Sequence, residues 1–154
     1  MHIEPLNPNS EAAQALIASS DAYMEALYPS ESNHLESVQA LALSNVLFLG
    51  GYVEGELVAC GAVKSLADDD TYGEIKRVFV LESHRGKGLS KAIMQHLEEH
   101  LKANGIRIAR LETGIKQPEA LGLYRKLAYI ERGPFGTYSS DPLSVFMEKR
   151  LGEV

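Results

Sequence analysis

The pattern of hydrophobic and polar positions divides the chain into alternating strand-like and helix-like stretches. Residues 3–6 read as a first short strand. Ser10 and Glu11 then open a helix that contains Ala12, Ala13, Leu16 and Ile17, a serine N-cap followed by an acidic residue. A second helical piece covers residues 21–27 and ends at Tyr28-Pro29, because the residue before a proline is pushed out of the α region. Residues 29–34 form a polar loop, and 35–43 read as another short helix. A hairpin follows. Residues 46–49 with Tyr52 and Val53 make one arm, Glu54-Gly55 the turn, and residues 57–63 the other arm. Gly50-Gly51 inside the first arm predicts a bulge or a close backbone approach.

The second half alternates strand and helix. Residues 74–81 are a strand whose Ile75, Val78, Phe79 and Val80 are too continuous for one buried face, which places it centrally in a sheet. Residues 91–104 carry Ile93, Leu97 and Leu101 on one helical stripe, and Asn104-Gly105 supplies a left-handed stop. Residues 106–112 are the next strand, so this part is a right-handed strand–helix–strand unit. Pro118 at a first helical position starts a helix with Leu121, Tyr124, Arg125 and Leu127. A late strand begins at Tyr129-Ile130, residues 134–138 are a loop, and residues 143–151 are the last strand.

Between the strand at 74–81 and its following helix lies Arg85-Gly86-Lys87-Gly88-Leu89-Ser90. A strand that feeds a glycine turn into a helix N-terminus is an anion cradle. Unpaired N–H groups point outward, the helix dipole adds roughly half a positive charge, and glycine lets a phosphate come close. Arg85 and Lys87 add full charges. The stretch is not a P-loop, because Gly88 stands where Ser or Thr must follow the lysine. It is a poor dinucleotide fingerprint, because Lys91 stands where a third small residue belongs.

Composition narrows the class. A chain of 154 residues, 45% hydrophobic and 23% charged, is expected to be one globular domain spanning 1–154. No apolar run approaches the ~20 residues that span a bilayer, and the N-terminus lacks a signal-peptide pattern. The one cysteine, Cys60, fits a reducing cytoplasm, and its Ala and Gly neighbours mark it as a buried, inert thiol. A net charge of −6 argues against nucleic acid as a partner. The charge is uneven: residues 1–74 hold twelve acidic side chains and one basic, residues 75–154 nine acidic and fourteen basic. The basic half carries the anion cradle. No metal is expected. Asp68-Asp69-Asp70 lacks the position-12 glutamate of an EF-hand, and His96 and His100 flank the buried helix stripe as solvated side chains without a third ligand.

The cradle resembles the pyrophosphate loop of the GNAT acetyltransferase superfamily, of the form Arg/Gln-x-x-Gly-x-Gly/Ala. Other pieces resemble that superfamily in the expected order: Glu74-Ile75-Lys76-Arg77, Leu111-Glu112-Thr113-Gly114, Gln117-Pro118-Glu119-Ala120 and Leu123-Tyr124-Arg125-Lys126. Pro134-Phe135-Gly136-x-Tyr138 and residues 144–149 resemble the end of a bacterial small single-domain branch. Ser90 departs from the usual small residue, and Ala128 stands where a glycine usually follows the tyrosine helix.

The resemblance implies an α/β fold: a twisted mixed sheet of about six to seven strands, flanked by helices and splayed between its two central strands. It implies acetyl-CoA as donor and a primary amine of a small molecule or peptide as acceptor. The pantetheine arm would lie along Val78, Phe79, Val80 and Leu81, and the pyrophosphate on Arg85, Gly86, Lys87, Gly88, Leu89 and Ser90. Gln117, Ala120 and Tyr124 complete the cofactor side. The helices after the first strand would wall the acceptor site with Tyr23, Tyr28, Asn33 and His34, joined by Glu112.

Chemistry assigns roles within that frame. An amine must lose a proton and a thiolate must gain one. Tyr124, a phenol with an ordinary pKa of ~10, is protonated at neutral pH and suits the second task. Glu74 is the candidate base and Glu112 its competitor. Backbone N–H groups near Val80 would stabilise the oxyanion. A CoA-binding sensor without turnover and a transferase of longer acyl groups are the alternative functions. The acidic half suits a polyamine, an amino sugar or a protein lysine, whereas Lys116, Arg125 and His34 could hold a carboxylate. Either sheet edge could pair in a homodimer.

Overall fold

The computed structural model describes residues 1–33, 35–67 and 70–152. Seven strands form one sheet: β1 (His2–Pro5), β2 (Val46–Val53), β3 (Glu56–Ala67), β4 (Thr71–Val80), β5 (Ile108–Gly114), β6 (Ile130–Arg132) and β7 (Ser144–Arg150). Their order is β1-β2-β3-β4-β5-β7-β6. All neighbours are antiparallel except β4 and β5, which are parallel and joined through α3 (Leu89–Ala103). The other helices are α1 (Glu11–Leu27), α2 (Val38–Leu41) and α4 (Pro118–Lys126). This is the mixed, open sheet that the resemblance implies.

The two sheet faces bury different helices. Leu89, Ile93, Met94, Leu97 and Leu101 of α3 are fully buried with Ala59, Val63 and Ile75, and Tyr124 of α4 joins this cluster. Close helix–sheet contact requires glycine at position 61, where a Cβ would stand 2.5 Å from Ile93 Cγ2. On the opposite face, Ala13, Leu16 and Ile17 of α1 pack on Phe48, Cys60 and Ala62. Further along that face, Tyr72, Ile108, Phe135 and Phe146 form a third cluster beneath the loop between β6 and β7.

Several boundaries differ from expectation for physical reasons. The first helix is continuous from Glu11 to Leu27 rather than two pieces. Its polar stretch is accommodated because Ser19 Oγ donates to the Ala15 carbonyl and Asp21 pairs with Arg77 of β4. The helix expected over 35–43 shrinks to the single turn α2, capped by Ser37, whose Oγ accepts from Ala40 N at 3.1 Å. The bulge expected at Gly50-Gly51 is present as a register shift between Gly51 and Tyr52. Asp68 and Asp69 lie outside the described residues, whereas Asp70 is exposed and pairs with Arg110.

Two backbone features shape the centre. Strands β4 and β5 pair only at Gly73–Ala109, Glu74–Arg110 and Ile75–Leu111, after which they part. On its other edge β4 bulges. Cys60 faces Phe79 and Ala62 faces Lys76, so Arg77 and Val78 together oppose Gly61. Arg77 adopts φ of 58°, left-handed for a residue with a side chain.

The end of α4 explains why glycine is usual at 128. Ala128 N donates to Arg125 O and Tyr129 N to Tyr124 O, a Schellman cap that needs a left-handed residue at this position. Ala128 has φ of 75°. Ala128→Gly is expected to raise stability by about 0.5–1 kcal/mol, relief of the left-handed strain outweighing the added chain entropy. Gly61→Ala is expected to lower it by about 1–3 kcal/mol through overpacking. Urea midpoints at unchanged m-value check both.

Candidate functional site

Where β4 and β5 part, two cavities meet. The larger, about 410 Å³, runs from the N-terminus of α3 to α4. Among the residues expected on the cofactor side, Val78, Phe79, Val80, Arg85, Gly86, Gly88, Leu89, Ser90, Gln117, Ala120 and Tyr124 line it, and Lys87 does not. Tyr23, expected on the acceptor side, lines this cavity instead. His84, Lys91, Glu119 and Leu123 also line it. The sequence signal for His84 and Lys91 is their place beside the glycine turn.

The loop has the conformation an anion cradle requires. Gly86 and Gly88 take φ of 78° and 80°, and a Cβ on either would meet nothing within 4 Å. Conformation rather than crowding therefore demands glycine there. Gly88 caps α3 without a side-chain hydrogen bond, so the first-turn N–H groups of the helix are not occupied by a capping side chain. Arg85 folds back rather than outward. Its Nε donates to Val80 O at 3.1 Å and its guanidinium sits 4.8 Å from the centre of the Tyr23 ring.

The smaller cavity, about 80 Å³, lies across the splay. Val78, Gln117 and Tyr124 line both cavities, so Tyr124 stands at their junction. Glu112, Thr113, Ser20, Lys76 and Arg77 line the smaller one, with an apolar remainder of Met24, Leu35, Ile75 and Leu111. Burial, and secondarily the charge of Glu112, push the Tyr124 phenol up to about 12. Its proton is therefore held throughout the neutral range. Tyr124 packs edge-on against Tyr129, whose hydroxyl donates to Glu98 at 2.8 Å.

The remaining expected residues have other surroundings. Glu74 is buried, lines neither cavity, accepts a hydrogen bond from Tyr138 Oη at 2.5 Å and lies 3.6 Å from Lys76 Nζ. Tyr28 is buried and lines neither cavity. Its hydroxyl accepts from Lys116 N at 3.0 Å and donates to Gln117 Oε1 at 3.3 Å, holding the start of α4. Asn33 also lines neither, and its Nδ2 donates to the Tyr28 carbonyl. His34 lies outside the described residues. His96 is exposed, its Nδ1 2.9 Å from the Ala92 carbonyl.

Sequence reasoning missed Arg77 as an organising residue. Its side chain is 3% exposed and joins the β4 bulge to the first helix and the loop before α2. Nη1 donates to Asp21 at 2.6 Å and to Ser20 Oγ at 3.3 Å, while Nε and Nη2 donate to the Glu36 carbonyl at 3.0 and 2.7 Å. The partners are more than forty residues distant in sequence, beyond any local signal.

The parallel strand–helix–strand unit and its splayed sheet thus bring an open helix N-terminus and a buried tyrosine onto two adjoining cavities. The Acetyltransferase (GNAT) family model matches residues 13–129, and the chain belongs to that family. It is 41% identical, over 94% of both chains, to a protein of Azospirillum brasilense named IAA acetyltransferase. It is 35% identical to the uncharacterized N-acetyltransferase YsnE of Bacillus subtilis, over 83% of this chain and 85% of that one. A crystal structure of a candidate acyl-CoA N-acyltransferase from Klebsiella pneumoniae superimposes with TM-score 0.80 at 37% identity, covering 98% and 97% of the two chains. The fold is shared with the PaiA N-acetyltransferase of Thermoplasma acidophilum, solved with coenzyme A, at TM-score 0.74 and 19% identity over 97% and 99%. The protein is thus an acyltransferase of the GNAT family. None of its described helices is long and apolar enough to cross a membrane.

Cys60 lies behind the site. It is fully buried, its thiol donates to the Arg77 carbonyl at 3.2 Å, and burial pushes it up to about 12 despite the opposing charge of Arg77. Its folded value lies above the ordinary one, so the stability it contributes is complete below about pH 9 and is lost as pH rises toward 12. A thiol-reactive dye at pH 8 is expected to leave native Cys60 unmodified and to label it once urea unfolds the chain. Cys60→Ala should leave turnover nearly unchanged, measured by thiol release.

Proposed function

We propose that this chain is a single-domain N-acetyltransferase that takes its acetyl group from acetyl-CoA and passes it directly to a primary amine of a small molecule or peptide. The observation that carries this reading is Tyr124, which stands at the junction of the two cavities with its phenol held protonated by burial. The residues of the larger cavity fit the donor. Its loop offers a glycine-built anion cradle, and the edge of β4 from Val78 to Val80 offers backbone groups on the side where β5 has turned away.

Acetyl-CoA supplies an activated thioester, whose carbonyl carbon is open to attack by a neutral amine. The chain's own residues then handle two protons. Glu112 lines the acceptor cavity together with Tyr124 and is the base that takes the proton from the amine. Glu74 lies outside both cavities and is the weaker candidate for that role. Tyr124 donates its proton to the departing sulfur. Backbone N–H groups near Val80 stabilise the charge that develops on the carbonyl oxygen. The buried Cys60 carries no acetyl group, so transfer needs both substrates bound together.

The test is a pair of measurements on purified protein. Acetyl-CoA or CoA at ~100 times its dissociation constant should stabilise the fold by about 2.7 kcal/mol, a shift of a few degrees in melting temperature, whereas ATP should not. Tyr124→Phe should keep that shift and lose about 10²-fold in turnover of an accepted amine, and Glu112→Gln should lose a similar factor. No shift with either CoA species at millimolar concentration would sink the proposal. Full turnover in Tyr124→Phe would remove Tyr124 from the chemistry.

A further inference from the structure

The acceptor cavity is lined by two cations, Lys76 and Arg77, and both are engaged by groups of the protein itself. Lys76 is 11% exposed. Its ammonium lies 3.2 Å from Glu36 Oε1 and 3.6 Å from Glu74 Oε2, and donates to Tyr138 Oη at 2.9 Å. An ammonium has three donors, and three acceptors surround this one. The Arg77 guanidinium is held by Asp21, Ser20 and the Glu36 carbonyl. Lys64 lies against the same Glu36 carboxylate at 3.6 Å. Lys116, on the neighbouring loop, donates its Nζ to the Leu27 carbonyl at 2.8 Å. Arg125 pairs with Glu131 on an exposed surface and lines neither cavity.

Carboxylates match the cations of this space: Asp21, Glu36 and Glu74 stand against Lys64, Lys76 and Arg77, and Glu112 also lines the cavity. Burial is the main cause that raises the phenols of Tyr28, Tyr124 and Tyr138, and the charge of Glu112 adds to it in all three. The rest of the lining is apolar, with the hydroxyls of Ser20 and Thr113. A carboxylate carried into this space would leave water and find, among the described residues, no open cation. An ammonium would be drawn toward Glu112 before giving up its proton.

We propose that the acceptor is a primary amine with no carboxylate on the carbon that bears it. Its stem is uncharged or cationic, and α-amino acids are poor acceptors. The inference rests on the N-acetyltransferase reading above and narrows its substrate class.

Matched pairs test it: tyramine with tyrosine, tryptamine with tryptophan, and isoamylamine with leucine, each with acetyl-CoA and thiol release as readout. In every pair that turns over, the amine should exceed its amino acid at least ten-fold in kcat/KM. The lower pKa of an α-amino group works against this result, so the expectation is a demanding one. A second arm tests the cause. Glu36→Gln removes the carboxylate shared by Lys64 and Lys76, and should narrow the preference at least three-fold while leaving the acetyl-CoA melting shift unchanged. Equal or better use of the amino acids overturns the inference. So does an unchanged preference in a folded Glu36→Gln protein, or turnover of none of the six compounds by protein that binds acetyl-CoA. Loss of the acetyl-CoA shift in the unsubstituted protein would instead strike the parent reading, so the two failures are distinct.

Discussion

Everything about the site depends on two parallel strands that stop pairing. β4 and β5 are bonded from Gly73 to Ile75 and then diverge. A strand edge without a neighbour carries unpaired backbone groups, which need water, a ligand or another segment. Here β4 keeps β3 on one side and opens on the other, so its polar edge lines a cavity instead of a ladder. The opening is filled partly by α4, whose Tyr124 lines both cavities together with Gln117, the residue that caps the helix start. Tyr28 fixes where α4 begins, through Lys116 N and Gln117 Oε1. Tyr129 and the Schellman cap at Ala128 fix where it ends.

The bulge in β4 has the same consequence from the other direction. With Arg77 and Val78 together opposite one residue of β3, the alternation of side chains along the strand is reset. Arg77 can then extend beneath α1 and bind Asp21, Ser20 and the Glu36 carbonyl. A left-handed non-glycine residue persists only where its surroundings over-determine it. Four hydrogen bonds from one guanidinium and a thiol donating to its carbonyl are such surroundings.

The unequal charge of the two chain halves acquires a meaning in three dimensions. Lys87 and Lys91, from the basic half, stand in or beside the turn that opens α3. Asp21, Glu36 and Glu74, from the acidic half, converge on Lys76 and Arg77 beside the smaller cavity. Burying such groups costs solvation free energy, and networks of this kind are maintained by geometry and mutual hydrogen bonds rather than by net gain in stability. Their effect is a set of basic side chains at the turn that opens α3 and, beside the smaller cavity, cations neutralised by nearby carboxylates.

The linear chain determined the features that rest on local physics. The Ser10 cap, the Ile93–Leu97–Leu101 stripe, the stop at Asn104-Gly105 and Pro118 at a helix start each depend on neighbours within a turn or two. The glycine turn is of the same kind, since a left-handed φ demands glycine wherever the chain runs next. Motif order was also legible, and with it the family and the position of Tyr124. Roles set by long-range contact were not. Glu74 bonds Tyr138, more than sixty residues away, whereas Glu112 lines the smaller cavity. Tyr23 and Tyr28 have the same chemistry in sequence, yet one stacks near Arg85 and the other bonds the start of α4. Sequence alone chose the residue types and the local turns. Tertiary structure decided which carboxylate meets which cation, because Coulomb and hydrogen-bond energies depend on distances that only packing of remote segments sets.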